Sequence, residues 1–369
     1  MSTHRRIYLD YNASSPILAV VRDAVAEAMD QVGNPSSIHE EGRRVRSRIS
    51  RARAQVAALA GRSREQVVFT SGGTEANTLG VLALARLAER RGRNRVIATT
   101  AIEHPSLRGA VAELQRQGWT VTTLDDADDA DDAKASVAAF AAVNHELGTV
   151  EPRAMSPELR ARGMLVHVDA VQATGKLALD VLAADTIAIS GHKIGGPQGV
   201  GALIVDDAAD AALPLVEAGH QERGRRPGTE NTLGIIGFGA AAAAVDLAGW
   251  AAITARGEAL ERGLLAIEDV RIHGADRRRI GGTINAGFAG ARGESIVIAL
   301  DLAGIAASTG AACTSGSLEP SPVLLALGLA PERALEAVRF SLGHGTTDAD
   351  IVAVLDVLPA IVKRARQHA

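Results

Sequence analysis

The only cysteine of the chain, Cys313, lies in "GAACTSGS" (310–317), a run of small and polar residues. A buried structural cysteine usually stands in a periodic apolar run, so these neighbours point to a thiol used for chemistry. Upstream, "TSGGTEAN" (70–77) closes an apolar strand with two glycines and opens a helix at Thr74 and Glu75. Backbone N–H groups and the positive helix end would then face an anion such as phosphate, although the same pattern is also an ordinary N-cap. The lysine of a Walker loop and the third glycine of a dinucleotide fingerprint are missing. In "HVDAVQATGK" (167–176), Asp169 falls at the carboxyl end of an apolar strand, where ligands collect in open α/β sheets. It can hold a cationic ring nitrogen or cap the turn that follows. Lys193 in "SGHKIGGPQGVGALIV" (190–205) follows another strand, between Ser190 and His192 on one side and a Gly/Pro turn on the other. That setting suits Schiff-base chemistry. A phosphate cradle, a strand-end aspartate and a strand-end lysine are together what pyridoxal 5'-phosphate (PLP) requires. With one cysteine and scattered histidines, no metal site is expected.

These residues need a scaffold that brings strand ends together. "QVVFT" (66–70), "RVIATT" (95–100), "VTTL" (121–124), "FAAVN" (140–144), "MLVHVDA" (164–170), "TIAIS" (186–190) and "GALIV" (201–205) read as strands buried on both faces of a mostly parallel sheet. A helix is expected from Thr74 to Arg91, and another from Leu233 into the 250s. Beyond them, "GGTINAGF" (281–288), "GIAAST" (304–309) and "VRFSLG" (338–343) alternate with helices, which predicts a smaller α+β domain. The expected division is a large domain over 14–250 and a small domain of 1–13 plus 251–369, the latter carrying the Cys313 loop.

Composition narrows the partners. The 369 residues are 47% hydrophobic and 22% charged, with 43 acidic against 39 basic side chains, so neither nucleic acid nor an anionic membrane is expected as a main partner. A lone cysteine fits a reducing compartment, and "MSTHRRIYLDYNASSP" lacks the apolar core of a signal peptide, so a cytoplasmic location is expected. The apolar stretch 233–255 is mostly Ala and Gly and carries Asp246, which suits a buried helix better than a membrane span. Val45, Ile49, Val56 and Leu59 recur at helical spacing, so the arginines of 43–60 are read as a solvated face. "DDADDADDA" (125–133) is read as an exposed connector.

In order along the chain come "IYLDYNASSP", "GNPSSIHEEGR", "VFTSGGTEAN", "IEHPS", "VNHELGTVEP", "HVDAVQATGK", "SGHKIGGPQGVGAL", "HQERGRRPGTEN", "GAACTSGSLEPSPVLLALG" and "VRFSLG". In these motifs the chain resembles the class V aminotransferase family and, within it, the NifS/IscS-type cysteine desulfurases. The resemblance implies a fold type I PLP enzyme with a seven-stranded large domain, active as a homodimer with its site at the subunit interface. It implies that Lys193 bonds the cofactor aldehyde, Asp169 pairs with the ring nitrogen, and Gln172 and His145 approach the ring hydroxyl. His104 would stack on the ring and serve in proton transfer. Gly73, Thr74, Ser190 and His192 would hold the phosphate, with Thr229 arriving from the other subunit. Arg339 would clamp the substrate carboxylate, assisted by Asn34.

The same resemblance gives Cys313 a role. Its thiolate would take sulfur from L-cysteine as a persulfide, leave alanine, and pass the sulfur to an acceptor protein. The loop matches the branch with "ACTSGS", which favours direct hand-off. Three departures stand out. His145 replaces the usual Asn, Glu217–Gly219 replace a glycine triplet, and the segment after Leu124 is short and acidic. Alternative readings are another class V reaction, such as an aminotransferase or selenocysteine lyase, and a non-catalytic sulfur-carrier scaffold.

Overall fold

The computed structural model describes residues 6–124, 135–206, 209, 218–310 and 319–367. Cys313 and the acidic run 125–133 lie outside the described residues. Two compact units are present. The sheet unit comprises Pro16–Ala142 and Glu151–Val245, and the terminal unit comprises Met1–Ser15, Val143–Val150 and Asp246–Ala369. Residues 143–150, which the sequence-based division keeps inside 14–250, pack with the terminal unit for a clear reason. Their ends bridge each other at Val143 and Val150, and their middle pairs with the chain at 278–280: Val150 N–H donates to Arg278 C=O at 2.8 Å and Ile280 N–H to Gly148 C=O at 2.9 Å.

β1 (Ile7–Tyr8) belongs to the terminal unit. The sheet unit supplies β2 (Val67–Thr70), β3 (Val96–Thr99), β4 (Thr120–Thr123), β5 (Val137–Ala141), β6 (Leu165–Asp169), β7 (Thr186–Ser190) and β8 (Gly201–Val205). They form one seven-stranded sheet in the order β2-β8-β7-β6-β5-β3-β4, in which β8 alone runs against its neighbours. β5 starts at Val137, ahead of the expected 140–144. Its opening residues, Val137, Ala138 and Ala139, are small but fully buried, and small size gave them little weight as a strand signal.

The helices of this unit are α1 (Ala19–Met29), α2 (Glu40–Ala60), α3 (Gly73–Arg90), α4 (Pro105–Arg116), α5 (Glu158–Ala161) and α6 (Thr232–Ala243). α3 lies against β6, β7 and β8 and buries Val81, Leu84 and Ala88 in a core shared with Val68, Ile97 and Leu107. α6 packs on α1 and α2, which explains its Ala/Gly composition. A Cβ on Gly239 would fall 2.5 Å from the Ala52 Cα, so only glycine allows that approach. Among the described residues, no helix is long and apolar enough to cross a membrane.

The terminal unit contains α7 (Trp250–Leu265), β9 (Val270–Ile272), β10 (Thr283–Phe288), α8 (Gly293–Leu302), β11 (Ile305–Ala306), α9 (Pro322–Ala326), α10 (Pro331–Ala334), β12 (Ala337–Ser341) and α11 (Asp348–Gln367). An antiparallel sheet β12-β10-β9 and a parallel β1–β11 pair cover a core around Phe288, Leu300, Phe340 and Val354. The helix expected to run from Leu233 into the 250s is two helices. α6 stops at Ala243, and the Asp246 carboxylate accepts the Gly249 N–H at 2.9 Å, turning the chain before α7.

Candidate active site

β2, β3, β6 and β7 run the same way, so their carboxyl ends share one edge of the sheet, where open α/β folds bind ligands. After β2, Gly72 is the N-cap of α3 and no side chain caps that helix. Thr74 is therefore not the cap; it sits exposed within the first turn, where the helix amides have no intrahelical carbonyl to bind. The glycines permit close packing at this end. A Cβ on Gly201 would lie 2.7 Å from the Gly72 carbonyl carbon, and one on Gly73 would lie 2.7 Å from Val171 Cγ2 and 3.6 Å from Ser190 Cβ. A Cβ on Gly72 itself would enter open space, room that an anion facing the helix end needs.

After β7, buried Ser190 leads into a single 3-10 turn, Gly191–Ile194, that carries His192 and Lys193 and is closed by Gly195 at φ 79°. Leu18 Cγ would stand 2.6 Å from any Cβ at that glycine. Burial, and secondarily the Lys193 charge, push the His192 imidazole down to about 4. The ring is thus neutral at pH 7 and can offer a hydrogen bond but no positive charge.

After β6, Asp169 is buried and caps the turn that follows, one of the two roles its position suggests. Oδ1 accepts the Val171 N–H at 2.9 Å, capping the turn, and Oδ2 accepts the Asn77 amide at 2.7 Å. Burial raises its carboxyl, opposed by those two donors and by the charges of His104 and Lys193. Gln172, also buried, accepts the Lys176 ammonium on Oε1 at 2.9 Å.

After β3, His104 is the N-cap of α4, and its Nδ1 accepts the Ser106 N–H at 3.1 Å. The preceding Glu103 is buried. Its Oε1 lies 2.6 Å from Thr100 Oγ1, and its Oε2 accepts the Ala141 N–H at 2.9 Å. Burial drives this carboxyl up to about 8. The sheet unit therefore collects Gly73, Thr74, His104, Asp169, Gln172, Ser190, His192 and Lys193 on the elements that end along one edge.

The remaining expected residues lie elsewhere. Asn34 precedes α2, and its Oδ1 accepts the Ser36 N–H at 2.8 Å. Thr229 is exposed on the loop before α6. In the terminal unit, Arg339 of β12 is buried. Its Nη1 donates to the His145 C=O at 3.1 Å and its Nη2 to Asp10 Oδ1 at 2.8 Å, while Nε is buried with no partner among the described residues. The His145 ring stands 3.6 Å from the Glu146 carboxylate, which accepts the Ser321 O–H at 2.6 Å.

Sequence reasoning missed Asn77, Glu103, Ser106 and Asp10. Asn77 and Glu103 stand inside the motifs "TSGGTEAN" and "IEHPS", one helical turn or less from a candidate, and that adjacency was the available signal. Asp10 meets Arg339 only through the long-range bridge of Asp10 with Ser341, which no local pattern reveals.

The donor set suits PLP: a helix end with free amides and open space, a buried carboxylate, and a lysine beside a neutral histidine. The comparisons agree. The chain matches the family model Aminotransferase class-V over residues 7–354. It is 42% identical to a cysteine desulfurase of Trichormus azollae, over 98% of this chain and 94% of that protein. A solved NifS-like protein superposes with a TM-score of 0.86 at 28% identity, covering 98% of this chain and all of the other. A solved SspA in complex with cysteine superposes at 0.78 and 29% identity, covering 91% of this chain and 98% of that one. The chain belongs to the class V aminotransferase family, in its NifS/IscS-type cysteine desulfurase branch.

Proposed function

We propose that this enzyme converts L-cysteine to L-alanine with PLP as its cofactor, holding the sulfur as a persulfide on Cys313 for transfer to an acceptor protein. The convergence of the α3 N-terminus, Asp169, His104 and the His192–Lys193 turn on one sheet edge carries this reading, together with the desulfurase relatives.

Bound PLP supplies an electron sink that stabilises negative charge at the substrate Cα. The α3 amides, Ser190 and His192 would hold its phosphate, and the Asp169 carboxylate would accept a hydrogen bond from its protonated ring nitrogen. Gln172 and His145 would serve the ring hydroxyl, and His104 would stack on the ring. Arg339 binds the substrate carboxylate with Asn34 assisting, and Lys193 Nζ takes the Cα proton. The Cys313 thiolate attacks the cysteine sulfur. An S–S bond forms as the Cβ–S bond breaks, and the released electron pair, with a proton, becomes part of the alanine methyl group. The atoms balance as cysteine plus enzyme thiol giving alanine plus enzyme persulfide. A homodimer would complete the site: Thr229, exposed on the single chain, would reach the cofactor phosphate held by the other subunit.

The test is alanine release from L-cysteine with no keto acid present, in the wild type and in Cys313→Ser. Retained cofactor absorption with loss of both alanine and sulfide in the variant is expected. Unchanged turnover would overturn the Cys313 role. Dependence on a keto acid would favour an aminotransferase, and a protein that takes up no PLP would favour the scaffold reading.

A further inference from the structure

Asn77, in the second turn of α3, is completely buried, and both its amide hydrogens and its amide oxygen are engaged within the sheet unit. Its Nδ2 donates to Asp169 Oδ2 at 2.7 Å and to Ser106 Oγ at 2.9 Å. Its Oδ1 stands 3.0 Å from His167 Nε2, and His167 Nδ1 stands 2.9 Å from Thr186 Oγ1. Ser106 Oγ in turn lies 2.8 Å from His104 Nδ1, the atom that also accepts the Ser106 N–H.

The directions of these bonds follow from chemistry. A carboxylate only accepts, so the Asn77 amide nitrogen must face Asp169 and its oxygen must face His167. His167 is fully buried and burial lowers its imidazole to about 3, so it is neutral; it carries its proton on Nε2 and receives the Thr186 O–H on Nδ1. His104 Nδ1 already accepts the Ser106 N–H and so carries no proton; the Ser106 O–H must therefore be the donor in its contact with Nδ1, and a neutral His104 holds its proton on Nε2.

From this geometry we infer that Asn77 is a positioning residue whose single amide holds the Asp169 carboxylate as an acceptor and joins it to His104 through Ser106. Thr186, His167 and Asn77 form a chain of donors, each oriented toward Asp169, and aligned buried bonds reinforce one another. No member other than Asp169 and His104 is assigned a contact with cofactor or substrate. What those two groups do rests on the function proposed above, whereas the bond pattern stands without it.

The test uses full-length protein with Asn77→Leu, which is nearly isosteric, and Ser106→Ala, which cuts only the His104 branch. Asn77→Leu is expected to weaken PLP binding roughly tenfold or more, the scale of a lost bond to a buried charge, and to shift the visible band of the bound cofactor. Ser106→Ala is expected to keep PLP affinity within about threefold and leave the band in place, because the bond to Asp169 survives. Its effect appears instead in the histidine 15N spectrum, where the His104 Nδ1 signal moves. In the wild type, with or without PLP, that spectrum is expected to show both His104 and His167 protonated on Nε2. Wild-type affinity and band in Asn77→Leu, or a protonated Nδ1 on His104, would overturn the inference. If Asn77→Leu does not fold, Ser106→Ala and the wild-type spectrum decide. A wild type that takes up no PLP would instead defeat the cofactor reading, with the spectrum of the ligand-free protein still judging the bond pattern.

Discussion

Arg339 Nη2 donates to Asp10 Oδ1 across 2.8 Å, with the two side chains only 4% and 19% exposed. The aspartate fixes one arm of the fork and the His145 carbonyl fixes the other, so the planar group has a set orientation before any carboxylate arrives. Lysine cannot reproduce that fork. Arg339→Lys is expected to lower kcat/KM for L-cysteine about a hundredfold, mostly through KM, with PLP affinity unchanged. Asp10→Asn keeps the cation and is expected to cost about tenfold. Alanine release against cysteine concentration measures both, and an unaltered KM in Arg339→Lys would remove the carboxylate role.

Gly80 allows α3 to sit on β6. A Cβ there would lie 2.5 Å from His167 Nδ1 and 3.0 Å from Leu203 Cδ1. Gly80→Ala is expected to destabilise the fold by about 1–3 kcal/mol through overpacking, read as a lower urea midpoint. Gly109, on α4, has nothing within 4 Å of its Cβ direction, and Gly109→Ala is expected to gain about 0.5–1 kcal/mol. The opposite order of midpoints would contradict the packing described.

Glu103 predicts a pH signature. Its folded carboxyl is raised from 4.5 to about 8 by burial, so between those values the native state holds a proton that the unfolded chain releases. Its contribution is fully present below 4.5 and is lost as pH rises through 8. In Glu103→Gln a neutral amide replaces the protonated acid. Stability measured by urea unfolding of the ligand-free protein is therefore expected to fall less steeply between pH 5 and 8, by up to about 1.4 kcal/mol per pH unit. Parallel curves for the two proteins would show that Glu103 is ionised throughout.

Arg53 and Glu222 form a two-armed ion pair, with both contacts at 2.6 Å, and Glu222 Oε2 also accepts the Phe69 N–H at 2.9 Å. The guanidinium lies 4.7 Å above the Phe69 ring. Removing the carboxylate strands a nearly buried cation. Glu222→Ala is expected to cost roughly 3 kcal/mol, whereas Arg44→Ala, on the exposed face of the same helix as Arg53, is expected to cost under about 1 kcal/mol. Urea midpoints of the two variants measure the difference, and equal losses would contradict the buried pair.

The sequence made the strands legible because buried parallel strands are apolar without interruption, as in 186–190 and 201–205. It also made legible the residues at their ends, because glycines and isolated polar groups stand out against such runs. Arg53 shows what stayed hidden. On α2 it shares the composition of Arg43, Arg44 and Arg48, and only the fold brings Glu222 to it from 169 positions away. The Asn77 network was hidden for a related reason. Its members come from α3, α4, β6 and β7, each an ordinary polar residue in its own segment. Asp169 and Lys193 could be read singly; the support of Asp169 could not.

β8 is the one reversed strand, and it separates β2 from β7 in the sheet. Neighbouring strands lie about 4.8 Å apart, so Thr70 of β2 and Ser190 of β7, both paired with Gly201 of this interposed hairpin partner, stand roughly 10 Å from each other. Backbone pairing, rather than any side chain, thereby sets the spacing of the two strand ends from which the segments 71–74 and 191–194 depart. Drift in the surrounding residues can retune what those two segments carry while leaving the distance between their anchors untouched.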